Sequence, residues 1–211
     1  REYIKPNVKN IVWFFYEGND YDDLRGELQS KILSKYLYDL NFSQNLKSKQ
    51  SLINELVRKE IVKEEQKIDV IINKKKKNLS NYFFEFIKLF NTRYLLFYGA
   101  KLNHPGSEYK DILKLTKELA KKNNSNLYFV YLPAWDRYRN NFDISSRYNK
   151  FYKEILKFTE ELNISFIDMH KEVFLKESDP LKLFPFKEFG HYNEEGYKKV
   201  SKKIYSIISK D

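Results

Sequence analysis

The amino-acid sequence predicts an α/β fold built on a parallel sheet, and two observations carry that prediction. Asn10–Tyr16 and residues 127–132 are continuous apolar and aromatic runs, the pattern of strands buried between two layers, and residues 164–168 read as a third strand. Across the second half, such runs alternate with amphipathic helical stretches, and that alternation implies βαβ units.

Residues 1–8 read as the tail of a helix and a turn, punctuated by Pro6. The first strand, Asn10–Tyr16, ends abruptly at Glu17-Gly18-Asn19-Asp20. Residues 21–101 differ in character and read as a helical insertion within the domain. Leu28, Ile32, Leu33, Tyr36, Leu37 and Leu40 fall on one helical face. Residues 45–77 form a long polar helical stretch with a sparse apolar stripe, and the run Lys74-Lys75-Lys76-Lys77 is a solvated linker or helix end. Residues 82–97 are aromatic-rich at helical spacings, which suits a packed helical element; a lip over a sugar or acyl site is the sharper alternative.

After Asn103-His104-Pro105-Gly106 comes a helix over 107–123, with Ile112, Leu113, Leu115, Leu119 and Ala120 as its stripe. Asn124-Ser125-Asn126 is a turn, and the second strand, 127–132, stops at Pro133. A loop over 134–145 carries Trp135, Arg137, Tyr138 and Arg139. A helix over 148–162, a third strand over 164–168 and a loop over 169–190 follow. Asn193 caps the last helix, whose stripe is Tyr197, Val200, Ile204, Ile207 and Ile208.

The 211 residues include 17 Phe, 17 Tyr and 2 Trp, a composition that supports a sizeable core. Cysteine is absent, which excludes disulfides and thiolate metal sites. The net charge of +10 comes from lysine far more than arginine. Phosphate and base readers favour arginine forks, so general composition rather than nucleic-acid binding accounts for it. No apolar run reaches the ~20 residues of a membrane span. The chain begins at Arg1 without a signal-like segment and reads as part of a longer protein.

In a parallel sheet ligands bind at the C-terminal strand ends, where Gly18-Asn19-Asp20, Pro133-Ala134-Trp135 and the loop after Asp168 all lie. His191 closes that last loop, held between a glycine and a helix start, where an imidazole serves as a general base. Its orienting acid is Glu188, three residues before it, or Asp168 at a strand end. Asn19 beside Gly18 offers a side-chain amide to a developing oxyanion. Asp20 caps the segment that follows. His170 and His104 read as structural, and Asp168 with His170 is too sparse a pair for a metal site. No Gly-x-Ser-x-Gly elbow, glycine-rich phosphate loop or dinucleotide fingerprint occurs.

Trp13-Phe14-Phe15-Tyr16-Glu17-Gly18-Asn19-Asp20 resembles the third sequence block of the SGNH/GDSL hydrolase superfamily. Phe184-Pro185-Phe186, followed by Gly190-His191-Tyr192-Asn193-Glu194-Glu195-Gly196-Tyr197, resembles the fifth. The resemblance covers most of the chain outside the insertion. It implies a three-layer α/β/α sandwich of flavodoxin-like topology, with the first strands missing. It also implies an esterase or O-acyltransferase acting on an ester, of a glycan or surface polysaccharide, without a cofactor or metal. His191 matches the family's base, and Asn19 with Gly18 the oxyanion hole; Glu188 stands where the family has aspartate. The nucleophilic serine block and the second block would precede Arg1, as would any membrane anchor. A bacterial periplasm or cell envelope is the implied setting. The competing expectation is a non-catalytic carbohydrate-binding module on the same fold, using Trp135 and Tyr138.

Overall fold

The structure is a computed structural model that describes residues 2–3, 5, 7–75, 106–139, 142–188 and 190–210, the side chains of 67–75 and 142–145 excepted. The aromatic stretch 82–97 and His104 lie outside the described residues. The chain divides into two compact units, Arg1–Ile4 with Asn41–Leu102, and Lys5–Leu40 with Asn103–Asp211. In the first unit a 26-residue helix runs over Gln50–Lys75. The Glu2 carboxylate accepts the backbone N–H groups of Gln44 (2.7 Å) and Leu46 (3.0 Å) ahead of it. No described helix is long and apolar enough to cross a membrane.

The second unit is mixed α/β. Its elements are β1 (Asn10–Tyr16), α1 (Asp20–Gln29), α2 (Leu33–Tyr38), α3 (Ser107–Lys122), β2 (Asn126–Leu132), α4 (Phe142–Glu161), β3 (Ser165–Asp168), α5 (Met169–Glu172) and α6 (Glu194–Ile208). The three strands form a parallel sheet in the order β1-β2-β3, with Tyr16 opposite Leu132 and Tyr131 opposite Asp168. All three strands therefore end at the same edge of the sheet.

The face expected over residues 28–40 is split between two helices. Ser30 turns extended (ψ 116°) and its N–H bonds the Glu27 carbonyl, ending α1 before α2 begins. Residues 21–40 belong to the sheet unit, because Tyr21 is buried with its ring 4.9 Å from Phe15. Helices α3 and α4 end on asparagines in the left-handed region, Asn124 (φ 54°) and Asn163 (φ 49°). Asparagine tolerates that conformation and turns the chain into the next strand.

Side chains alternate across β2, as a period of two requires. Phe129 and Tyr131 face Phe15, Phe166 and Tyr152. Tyr128 and Val130 face the other way, into a cluster with Ile167, Met169, Phe174, Leu183, Phe184, Tyr192, Val200 and Ile204. Both faces are thus covered, which explains strands without polar alternation. Within this cluster α6 approaches very closely. A Cβ on Gly196 would lie 2.6 Å from the Leu183 carbonyl oxygen and 2.8 Å from the Tyr192 Cβ. Gly196→Ala is expected to cost about 1–3 kcal/mol through this overpacking, read as a lower urea midpoint at unchanged slope.

Candidate active site

The end of β1 is organised by a buried charge. The Glu17 carboxylate is fully buried and accepts the Tyr131 hydroxyl, the Ala134 N–H (2.7 Å), and Arg137 through Nε (2.7 Å) and a terminal guanidinium nitrogen (2.6 Å). Burial pushes the Glu17 carboxyl up, against the pull of Arg137, Tyr131 and Ala134. Burial also works against the Arg137 charge, yet its bonds to Glu17 hold the guanidinium above its ordinary range. Arg137 donates further to Asn149 (2.8 Å). This pair joins the end of β1 to the turn after β2, and so fixes where the Gly18-Asn19-Asp20 loop starts. Two sequence signals bear on it: an acid directly after seven strand residues, and an arginine between Trp135 and Tyr138 in the turn after the neighbouring strand.

Tyr16 joins that loop to the second motif. Its ring lies 4.5 Å from the His191 ring, and its hydroxyl donates to the Gly190 carbonyl (3.2 Å). Gly18 accommodates the same ring; a Cβ there would lie 2.5 Å from Tyr16 Cε1. The structure thus brings Gly18-Asn19-Asp20 and Gly190-His191 to one edge of the sheet.

His191 is exposed, and no hydrogen bond or ion pair engages its ring among the described residues. The residues after it are fixed. Tyr192 is buried and donates to the Pro133 carbonyl (2.8 Å). Asn193 caps α6, accepting the Gly196 N–H (3.0 Å) and donating to the Lys182 carbonyl (2.8 Å). The residues before it carry strain: Phe186 (φ 52°) and Lys187 (φ 61°) lie in the left-handed region, as does Gly190 (φ 86°). That conformation costs of order 1–2 kcal/mol for residues other than glycine.

Asn19 is exposed and donates through its amide to Asp23 (2.8 Å). A carboxamide nitrogen carries two hydrogens, so one remains for a ligand oxygen. Asp20 does not act as a helix cap. Its carboxylate accepts the Tyr16 N–H (2.9 Å) at the edge of β1. Burial pushes the Asp20 carboxyl up to about 6; Asp23 adds to the rise, while Tyr16 and His191 oppose it.

The other sequence-predicted residues fall elsewhere. Glu188 is exposed and has no hydrogen bond to His191. Asp168 caps α5, taking the Lys171 N–H (3.1 Å) and the Tyr152 hydroxyl (2.7 Å), which leaves it occupied away from His191. His170 pairs through Nδ1 with the Tyr138 hydroxyl (2.8 Å); burial first, then Arg137, pull its pKa down to about 4. Tyr138 also stacks on Phe174 (5.5 Å), so its hydroxyl and one face serve the core. Trp135 is half-buried with the Arg139 guanidinium 5.0 Å over its ring. Both aromatics expected to hold a glycan, Trp135 and Tyr138, pack against the core cluster. Among the described residues no group of three or more His, Asp or Glu side chains is placed to hold a metal ion. Set against known proteins, the chain matches no protein-family model, no curated protein and no solved structure.

Proposed function

We propose that this chain carries the C-terminal part of an SGNH-type esterase or O-acyltransferase site. Its substrate would be an ester of a glycan or surface polysaccharide, and the nucleophilic serine would come from chain outside these residues. The observation that carries this is the junction at Tyr16, which sets an unengaged imidazole and a partly free side-chain amide at one edge of a parallel sheet. A supporting feature is the outer edge of β1. Glu17 N–H bonds the Leu132 carbonyl (3.0 Å), so the even-numbered residues of β1 turn their backbone groups away from β2. Asp20 takes up the outward Tyr16 N–H. The preceding stretch, with Phe14 half-exposed, is where a further strand would add.

On this reading a serine hydroxyl attacks the ester carbonyl and passes its proton to His191. The carbonyl oxygen gains negative charge and receives a hydrogen bond from the Asn19 amide. As the ester C–O bond breaks, His191 returns the proton to the departing alcohol. Water or a sugar hydroxyl then releases the acyl group by the same steps in reverse. With the natural full-length protein and p-nitrophenyl acetate, Asn19→Ala is expected to lower kcat about 10²–10³-fold at similar KM, the loss seen when one oxyanion donor is removed. A kcat within twofold of wild type would remove Asn19 from this role.

A further inference from the structure

We propose that Tyr16 is the positioning residue for His191, a role that rests on the esterase reading of this site and replaces the acid expected to orient the ring. Among the described residues neither expected acid engages the imidazole. Glu188 makes no hydrogen bond to it, and Asp168 is taken up by Lys171 and Tyr152. Tyr16 engages the histidine instead. Its ring lies 4.5 Å from the imidazole, tilted by 48°, within the roughly 4.5–7 Å range of favourable aromatic contacts. Its hydroxyl donates to the Gly190 carbonyl (3.2 Å). That carbonyl shares a planar peptide unit with the His191 N–H. The bond therefore fixes the backbone from which the imidazole springs, at a glycine in the left-handed region (φ 86°). The same ring meets Tyr192 edge to face (6.3 Å, 80°), and Tyr192 is tied to the Pro133 carbonyl (2.8 Å). Gly190 and Tyr192, the neighbours of the histidine on either side, thus meet one side chain.

Tyr16 is itself held in place. It pairs with Leu132 in the sheet, Asp20 accepts its N–H (2.9 Å), and its ring packs on the core cluster. Gly18 makes room for that ring: a Cβ there would lie 2.5 Å from Cε1 and 3.0 Å from Cζ. Burial, then Asp136 and Glu17, push the Tyr16 phenol up, so its hydroxyl stays a neutral donor. The contacts with Tyr16 use no hydrogen bond of the imidazole, whose nitrogens stay open to the serine hydroxyl and the departing alcohol. A base held this way is aligned before substrate arrives, and misplacing a catalytic group by about 1 Å costs about 10²-fold.

The test combines NMR with p-nitrophenyl acetate kinetics on the natural full-length protein and its Tyr16→Leu and Tyr16→Phe variants. The His191 ring protons are identified by their loss in His191→Ala. A nuclear Overhauser effect between the Tyr16 and His191 rings is expected in the wild type, and its absence overturns the assignment whatever the variants do. Tyr16→Leu removes ring and hydroxyl together and is expected to lower kcat about 10²-fold with KM within about twofold. Tyr16→Phe keeps the ring and loses one hydrogen bond, so its kcat should fall only about two- to tenfold. Unfolding midpoints of the same samples give the folded fraction; a purely structural role would lower that fraction and leave kcat per folded molecule unchanged. A kcat per folded Tyr16→Leu molecule within about threefold of wild type overturns the role. If Tyr16→Leu does not fold, Tyr16→Phe decides, and an unchanged kcat there overturns it. The two readings fail separately. A wild type that hydrolyses no ester removes the esterase reading and this role with it, even with the Overhauser effect present. Hydrolysis that Tyr16→Leu leaves unaltered removes Tyr16 alone.

Discussion

Arg137→Ala is expected to be the most damaging single substitution in the sheet unit, costing about 3–5 kcal/mol, the loss seen when one member of a buried ion pair is removed. The pair is buried almost completely, at 3% side-chain exposure for Arg137 and 0% for Glu17. Removing the guanidinium leaves the Glu17 carboxylate with only the Tyr131 hydroxyl and the Ala134 N–H. It also leaves the Asn149 side chain without its donor. A domain of this size holds about 5–15 kcal/mol in total, so the loss consumes much of the margin. Glu17→Ala strands the guanidinium instead and should cost a similar amount. Glu17→Met with Arg137→Met removes both charges and should recover most of the stability, because apolar replacements of buried pairs are often neutral. Urea unfolding of the four proteins reads this directly. A single variant within about 1 kcal/mol of wild type would mean that the pair does not fasten β1 to the turn after β2.

His191→Ala has the largest expected effect on activity. In the natural full-length protein it should reduce kcat for an activated ester by about 10³-fold or more, since the base both activates the nucleophile and protonates the leaving group. The stability cost should be small, about 1 kcal/mol or less, because the ring is exposed and its contact is one tilted face of Tyr16. On the proposed function, activity and stability should therefore separate: Arg137→Ala is expected to act through the fold and His191→Ala through the chemistry.

Much of the sheet was legible because β1 and β2 are continuous apolar and aromatic runs. β1 runs over the residues its composition marks, and β2 differs by one residue at its start. The cap at Asn193 was also legible, since capping needs only a side-chain oxygen three residues before an N–H. The break at Ser30 was not: apolar spacing continues unbroken through it, and the chain departs from the helix at a serine whose N–H bonds the Glu27 carbonyl. The Glu17–Arg137 pair was not either, since its partners are 120 positions apart and meet only once Tyr16 stands opposite Leu132. Asp20 was misread for a local reason. An aspartate after asparagine at a helix start suggests a cap, and here the carboxylate reaches back to the strand instead. Asp168 and Tyr138 were expected to serve the site, but Tyr152, Lys171 and His170 engage them instead.

The most direct measurement of the central claim is kcat for p-nitrophenyl acetate in the natural full-length protein and its His191→Ala variant, with unfolding midpoints recorded on the same samples. The account predicts hydrolysis by the wild type and a fall of about 10³-fold or more in the variant at nearly equal stability. Equal rates in the two folded proteins, or no hydrolysis by the wild type, would contradict it.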